Sequence, residues 1–233
     1  MNNEILLILN LIVIYGATLI FYRLFGKSGL YAWTAFATVA ANIEVLIVID
    51  AFAMEQTLGN IMFASTFAVT DILSENHGKK EANKAVYLGI AVSLMFIIIT
   101  KFWLTFIPSP NNFTTEAFQT IFSNTPRVML AGFSVYVISQ LFDVWVYHKL
   151  WAYTERKCGN GKKYLWVRNN VATLLSQLIN AVLFNLFAFY GVYDSITLTS
   201  IIVSTYIIYV AAALLDTPVV YLSRRIHEKG KSQ

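Results

Sequence analysis

At 233 residues, 57% of them hydrophobic and 13% charged, with a mean hydropathy of +0.60, the chain is too apolar for a soluble domain and too long for a single membrane anchor. A net charge of +4 and a pI near 9.1 would point to nucleic acid in a soluble protein, but here the excess lies in loops beside apolar runs, so no nucleic-acid partner is assigned. The expected fold class is an all-α polytopic membrane protein with the lipid bilayer as its partner.

Runs of about 20 apolar residues predict seven spans, at residues 4–25, 29–50, 57–74, 83–107, 127–148, 169–190 and 196–222. Met1-Asn2-Asn3-Glu4 lacks the positive n-region of a secretory signal, so span one is expected to be retained. Arg23 and Lys27 follow span one, and Lys79, Lys80 and Lys84 follow span three. Lys149, Arg156, Lys157, Lys162, Lys163 and Arg168 follow span five, and Arg224, Arg225, Lys229 and Lys231 close the chain. Fifteen of the seventeen basic residues thus share one side, with Lys101 and Arg127 left for the other. Because Lys and Arg collect in cytoplasmic loops, the N-terminus is expected outside and the C-terminus inside the cell's inner (plasma) membrane.

This gives three parts: an extra N-terminal transmembrane helix at 1–28, a six-helix core at 29–225 and a basic cytoplasmic tail at 226–233. The longest connections are Pro108–Pro126 outside and Lys149–Arg168 inside. The outer one carries turn residues Pro108, Pro110, Asn111 and Asn112, and is read as a loop in preference to a short lid helix at 115–122. Cys158, the single cysteine, is read as a reduced loop thiol, which excludes an intrachain disulfide. No phosphate loop, HExxH, GxSxG or paired metal-ligand spacing occurs, and His77, His148 and His227 are scattered, so no enzyme, catalytic residue, cofactor or metal is expected.

The polar residues within the spans carry the functional reading. Asp71 sits inside span three, where an ionised aspartate costs about 2.5–3.5 kcal/mol and normally faces a bundle interior or a water-filled cavity. Glu75 follows one turn later, and Lys79 one turn beyond is placed to neutralise it. Span six carries Asn170, Thr173, Gln177 and Asn180 on one face, either as interhelical hydrogen bonds or as a substrate surface. Span five aligns Tyr136, Ser139, Gln140, Asp143 and Tyr147, and span seven Tyr206, Tyr209 and Asp216. Asp71, Asp143 and Asp216 are expected to share one layer as proton or structural carboxylates, unless Asp143 and Asp216 pair at the interface with Lys149 or Arg224. Glu44, in span two, is a fourth such carboxylate candidate outside that layer, with Lys101 as a pairing partner. Arg127 is read as an interfacial anchor, Trp151 and Trp166 as belt residues, and Trp33 and Trp145 as reaching the interior.

The segment GNIMFASTFAVTDILSENHGKKEA, with Phe67, Thr70, Asp71, Glu75, Gly78 and Ala82, resembles the queuosine precursor transporter family, formerly grouped as vitamin uptake transporters. WVRNNVATLLSQLINAVLF and LLDTPVVYL support the resemblance in the same order, over residues 30–225. Two departures stand out: Asn180 occupies a position where the family pattern has aspartate, and Tyr209 one where some members carry lysine. The resemblance implies import of 7-deazaguanine bases, the cyano and aminomethyl precursors of queuosine or queuine itself, for transfer-RNA modification. On that expectation Asp71 or Glu75 accepts hydrogen bonds from a guanine-like edge of a small planar heterocycle. Asn170, Gln177 or Asn180 then donates to its carbonyl, and Phe67 or a tyrosine stacks on its face. The alternatives are the substrate-binding membrane subunit of a vitamin-type energy-coupling-factor importer, or a membrane-embedded enzyme. Facilitated diffusion, proton coupling and a separate energising module all stay open, as does a homo-oligomer.

Overall fold

A run of β-branched and long apolar residues with no proline opens the chain as a helix, and the first break comes where the sequence first offers a glycine beside charge. In the computed structural model, which describes residues 2–52, 54–123, 126–159 and 163–230, helix α1 covers Asn3–Glu44 and breaks at Gly26, where φ is 58° and ψ −142°. Side chains with a Cβ rarely adopt that backbone conformation. The break separates residues 3–25 from 27–44, so predicted spans one and two are the two limbs of one folded-back element.

Span two does not reach residue 50. The β-branched Val48 and Ile49 enter strand β1 (Val48–Ala51), which pairs antiparallel with β2 (Met54–Thr57) in the register Val48↔Thr57 to Ala51↔Met54. Asn3 Nδ2 donates to the Asp50 carbonyl at 2.8 Å, and Glu4 Oε1 accepts from the Phe52 amide at 3.2 Å, which fastens the hairpin to the start of α1.

Helix α2 (Gly59–His77) starts and ends later than predicted span three and stops at Gly78, whose φ is 86°. It is buried on nearly every side, from Gly59 through Ser74 with Phe63 half-buried, against α1, α3 (Lys79–Trp103), α5 (Pro126–Cys158) and α7 (Ser195–Gly230). Small residues at Ala64, Ser65 and Ala68 let these neighbours approach closely. Helix α6 (Leu165–Phe189) packs between α5 and α7. Among the described residues, α1, α3, α5, α6 and α7 are long and apolar enough to cross a membrane, while α2 is not among them. The chain is an all-α polytopic membrane protein, with one two-stranded sheet among the described residues.

Several expectations are corrected. The predicted inner loop 149–168 is largely helical, because α5 runs ten residues past 148 on good helix formers and ends at Cys158, which therefore closes a helix and lies outside any loop. The outer connection contains helix α4 (Thr115–Ser123), held by Phe118 and Phe122 against Trp103 of α3. Residues 226–230 of the expected tail continue α7, and 231–233 lie outside the described residues. Trp145 does not reach the interior: it is half exposed with Lys149 over its ring, whereas Trp33 does, donating to Ser65 at 3.1 Å. Arg127 donates to the Phe187 and Tyr190 carbonyls at 2.7 and 2.6 Å, anchoring the end of α6.

Candidate functional site

The polar faces of α2, α5, α6 and α7 meet along one axis and form successive layers. At the hairpin end lies a cleft of about 630 Å³, open mouth included, between α1, α2, α3, α5, α6 and α7. Its apolar walls include Phe63, Phe133 and Phe184, and its polar groups include Asn42, Asn60, Asn180, Tyr136 and Tyr209.

The next layer is hydrogen-bonded shut. Gln140 Nε2 donates to Thr66 Oγ1 at 2.6 Å, and Thr70 Oγ1 donates to Gln140 Oε1 at 3.4 Å, joining α5 to α2. Gln177 accepts from Asn180 Nδ2 at 3.3 Å. Phe67 is fully buried with its ring 5.5 Å from that of Phe63.

Asp71, Asp143 and Asp216 come together below this, from α2, α5 and α7, each without solvent exposure and close enough to feel the others' charge. Thr173 donates to Asp71 Oδ2 at 3.0 Å and Ser176 to Asp143 Oδ1 at 2.7 Å. The Tyr15 hydroxyl lies beside Asp216. Asp71 Oδ1, Asp143 Oδ2 and both oxygens of Asp216 accept no hydrogen bond among the described residues. The expected interface pairs Asp143–Lys149 and Asp216–Arg224 are not formed: α5 and α7 continue beyond these acids, carrying both well inside the bundle.

One turn further along α2, Glu75 is paired, though not with Lys79. Arg168 Nη2 and Nε donate to Glu75 Oε2 at 2.5 and 3.1 Å, Tyr147 donates to the same oxygen at 2.8 Å, and Arg224 Nη1 stands 3.8 Å from Oε1. Lys79 lies beyond the helix break at Gly78, on α3, which turns it away from the Glu75 face. Arg168 is fully buried, stacks 4.2 Å from the Trp151 ring and caps the Lys163 carbonyl at 2.9 Å. The histidines are not all scattered: Tyr22 bridges His77 and His227 at 3.0 and 3.1 Å, closing this end of the axis.

Of the residues singled out from sequence as substrate contacts, Asn180 alone lines the cleft. Gln177 and Asp71 lie beneath it, and Glu75 is held by Arg168. Asn170 donates to Thr217 at 2.7 Å. Glu44 leaves Oε2 without a partner among the described residues, while Lys101 donates to the Phe122 carbonyl at 3.3 Å, so the expected Glu44–Lys101 pair is replaced. Sequence reasoning missed two participants. Arg168 reads in the sequence as one of the loop cations, although Glu75, an acid inside the bundle, requires a cation from another helix. Asn60 at the start of α2 carries no signal in the sequence, because a single asparagine near a helix end is common.

A family model described as "Putative vitamin uptake transporter" matches residues 57–223. A curated protein of Bacillus subtilis (strain 168) named "Probable queuosine precursor transporter" is 36% identical over 215 residues, covering 92% of this chain and 92% of that one. No solved structure matches the chain.

Proposed function

The chain belongs to the queuosine precursor transporter family and is a membrane transporter, and on that premise we propose that it imports 7-deazaguanine bases across the inner (plasma) membrane for transfer-RNA queuosine modification. The observation that carries this reading is the single axis on which an uncharged cleft with aromatic walls leads to a sealed layer of three carboxylates. A guanine-like base needs both parts: ring faces to stack on, and acceptors for its ring N–H and exocyclic amine.

In this proposal seven segments cross the bilayer: the two limbs of α1, then α2, α3, α5, α6 and α7. The N-terminus is outside and the C-terminus inside, with residues 1–28 added to a core at 29–225. Fifteen of seventeen Lys and Arg residues at one end support that orientation. The cleft then opens outward, and the Glu75–Arg168 pair with the Tyr22–His77–His227 bridge closes the inner end. Asn180 meets the substrate first, with Gln177 directly beneath it. Asp71, which keeps Oδ1 unengaged, receives its amine edge once the Gln140–Thr66 layer parts. Glu75 acts in closure, because its oxygens are committed to Arg168, Tyr147 and Arg224.

The test is uptake of labelled 7-cyano-7-deazaguanine by cells that cannot make it, read as queuosine in their transfer RNA. Expression of the chain should restore the modification, and Asp71→Asn, made at normal level, should lower uptake at least tenfold. No restoration by the wild type would refute the substrate, and wild-type uptake by Asp71→Asn would remove that residue from the site.

A further inference from the structure

The Tyr209 hydroxyl lies between two amides that both line the outer cleft. It accepts from Asn180 Nδ2 at 3.1 Å and donates to Asn60 Oδ1 at 3.2 Å. A phenol has one proton, so it can donate to one neighbour only and must accept from the other. The two asparagines are therefore forced into opposite senses, one bonded through its oxygen and the other through its nitrogen. This leaves Asn60 Nδ2 and Asn180 Oδ1 without hydrogen bonds among the described residues. One free donor and one free acceptor thus border the same space. If both amides, the hydroxyl and the Gln177 amide that accepts from Asn180 rotated together, the two roles would exchange, but the pair would still present one donor and one acceptor.

Among the described residues no Asp, Glu, Lys, Arg or His lines the cleft, so no side chain of that lining compensates an ionic group. Phe63, Phe133 and Phe184 supply ring faces for a flat ligand. We infer that the outer cleft is the first substrate station, and that Asn60 and Asn180 read the adjacent N–H and C=O of a lactam edge, with Tyr209 as the positioning residue that fixes their complementary senses. This rests on the import of a guanine-like base proposed above and deepens it. O-alkylation of a lactam replaces its donor–acceptor pair by two acceptors. In either orientation, one of them then faces an amide oxygen and is left unsatisfied, a loss of about tenfold in affinity or more.

The experiment is equilibrium binding to purified full-length protein in nanodiscs, with guanine, 7-cyano-7-deazaguanine and the O6-methyl counterpart of each as probes. The wild type should favour each lactam over its O6-methyl form at least tenfold. Tyr209→Phe keeps the ring and removes the hydroxyl, so it should shrink that ratio to below threefold at unchanged thermal stability, and Asn60→Leu should do the same. A ratio in Tyr209→Phe equal to that of the wild type overturns the inference. If the variants cannot be purified, the wild-type ratio decides: equal binding of lactam and O6-methyl forms also overturns it. Uptake without lactam preference sinks this inference alone, whereas lactam preference for guanine without uptake of the deazaguanine sinks the functional reading alone.

Discussion

Arg168→Met tests whether the inner end is held by a charge pair or by packing. Arg168 and Glu75 are 0% and 3% exposed at their side chains, with the guanidinium on one carboxylate oxygen through both Nη2 and Nε. Removing one partner of such a pair costs about 3–5 kcal/mol, because the other charge stays buried and unpaired. Arg224, 3.8 Å from Oε1, offsets part of that cost. Loss of the stacking over Trp151 adds about 1 kcal/mol in the other direction. The net expectation is a loss of about 3–4 kcal/mol, or a fall in midpoint of about 6–16 °C for a chain of this size. Glu75→Gln in the same molecule removes the stranded charge and leaves an amide oxygen for the Tyr147 hydroxyl, so the double variant should regain about 2 kcal/mol or more. Thermal unfolding of the wild type, both single variants and the double variant in detergent supplies the cycle. Effects that add to within about 0.5 kcal/mol would refute the pairing as the source of stability, as would an Arg168→Met midpoint within 2 °C of the wild type.

Two further perturbations follow from local geometry. At Gly89 on α3 an added Cβ would overlap the Tyr136 hydroxyl and stand 3.2 Å from Thr34 Cγ2. Gly89→Ala should cost about 1–3 kcal/mol as overpacking and weaken substrate binding by displacing Tyr136 from the cleft wall, both readable on one purified sample. Asp194, ahead of α7, accepts from the Thr197 hydroxyl and from the Thr197 and Ile196 amides, and these bonds hold its carboxyl below the usual aspartate range. A depressed folded value means that the cap's contribution is complete above about pH 4 and fades as pH falls through the lower folded value. Asp194→Asn should therefore flatten the acid limb of a stability profile; an unchanged limb would show that the cap does not matter.

The composition made the all-α membrane class legible, because apolar run length is a one-dimensional quantity. The faces of spans five, six and seven were legible too, since helical periodicity alone puts Thr173, Asp143 and Asp216 on inward sides. What periodicity does not encode is rotation of one helix against another. The resemblance implies one substrate held between Asp71 and the amides of α6; in the structure Asp71 meets Thr173 of that stripe, while Asn180 rises to the cleft and Asn170 turns to Thr217. Helix ends were misjudged wherever charge marked the end of apolarity without ending the helix, as at Lys149 and Arg224. The β1–β2 hairpin was lost because a β-branched run next to a membrane segment reads as more of that segment.

Helix α2 carries Asp71 and Glu75, is surrounded by protein, and is not among the helices apolar enough to enter lipid by themselves. In the seven-span arrangement proposed above, its place in the bilayer is therefore a tertiary property. For α3 or α6, partitioning and packing are separable stages, in which a helix first enters the lipid and then finds its neighbours. For α2, in that seven-span arrangement, the two are one event: the segment becomes a membrane helix when α5, α6 and α7 bring it the hydroxyls and guanidiniums that its acids bind. On that arrangement, the newly synthesised chain has to shelter the element that bears its most polar chemistry until its C-terminal half has emerged.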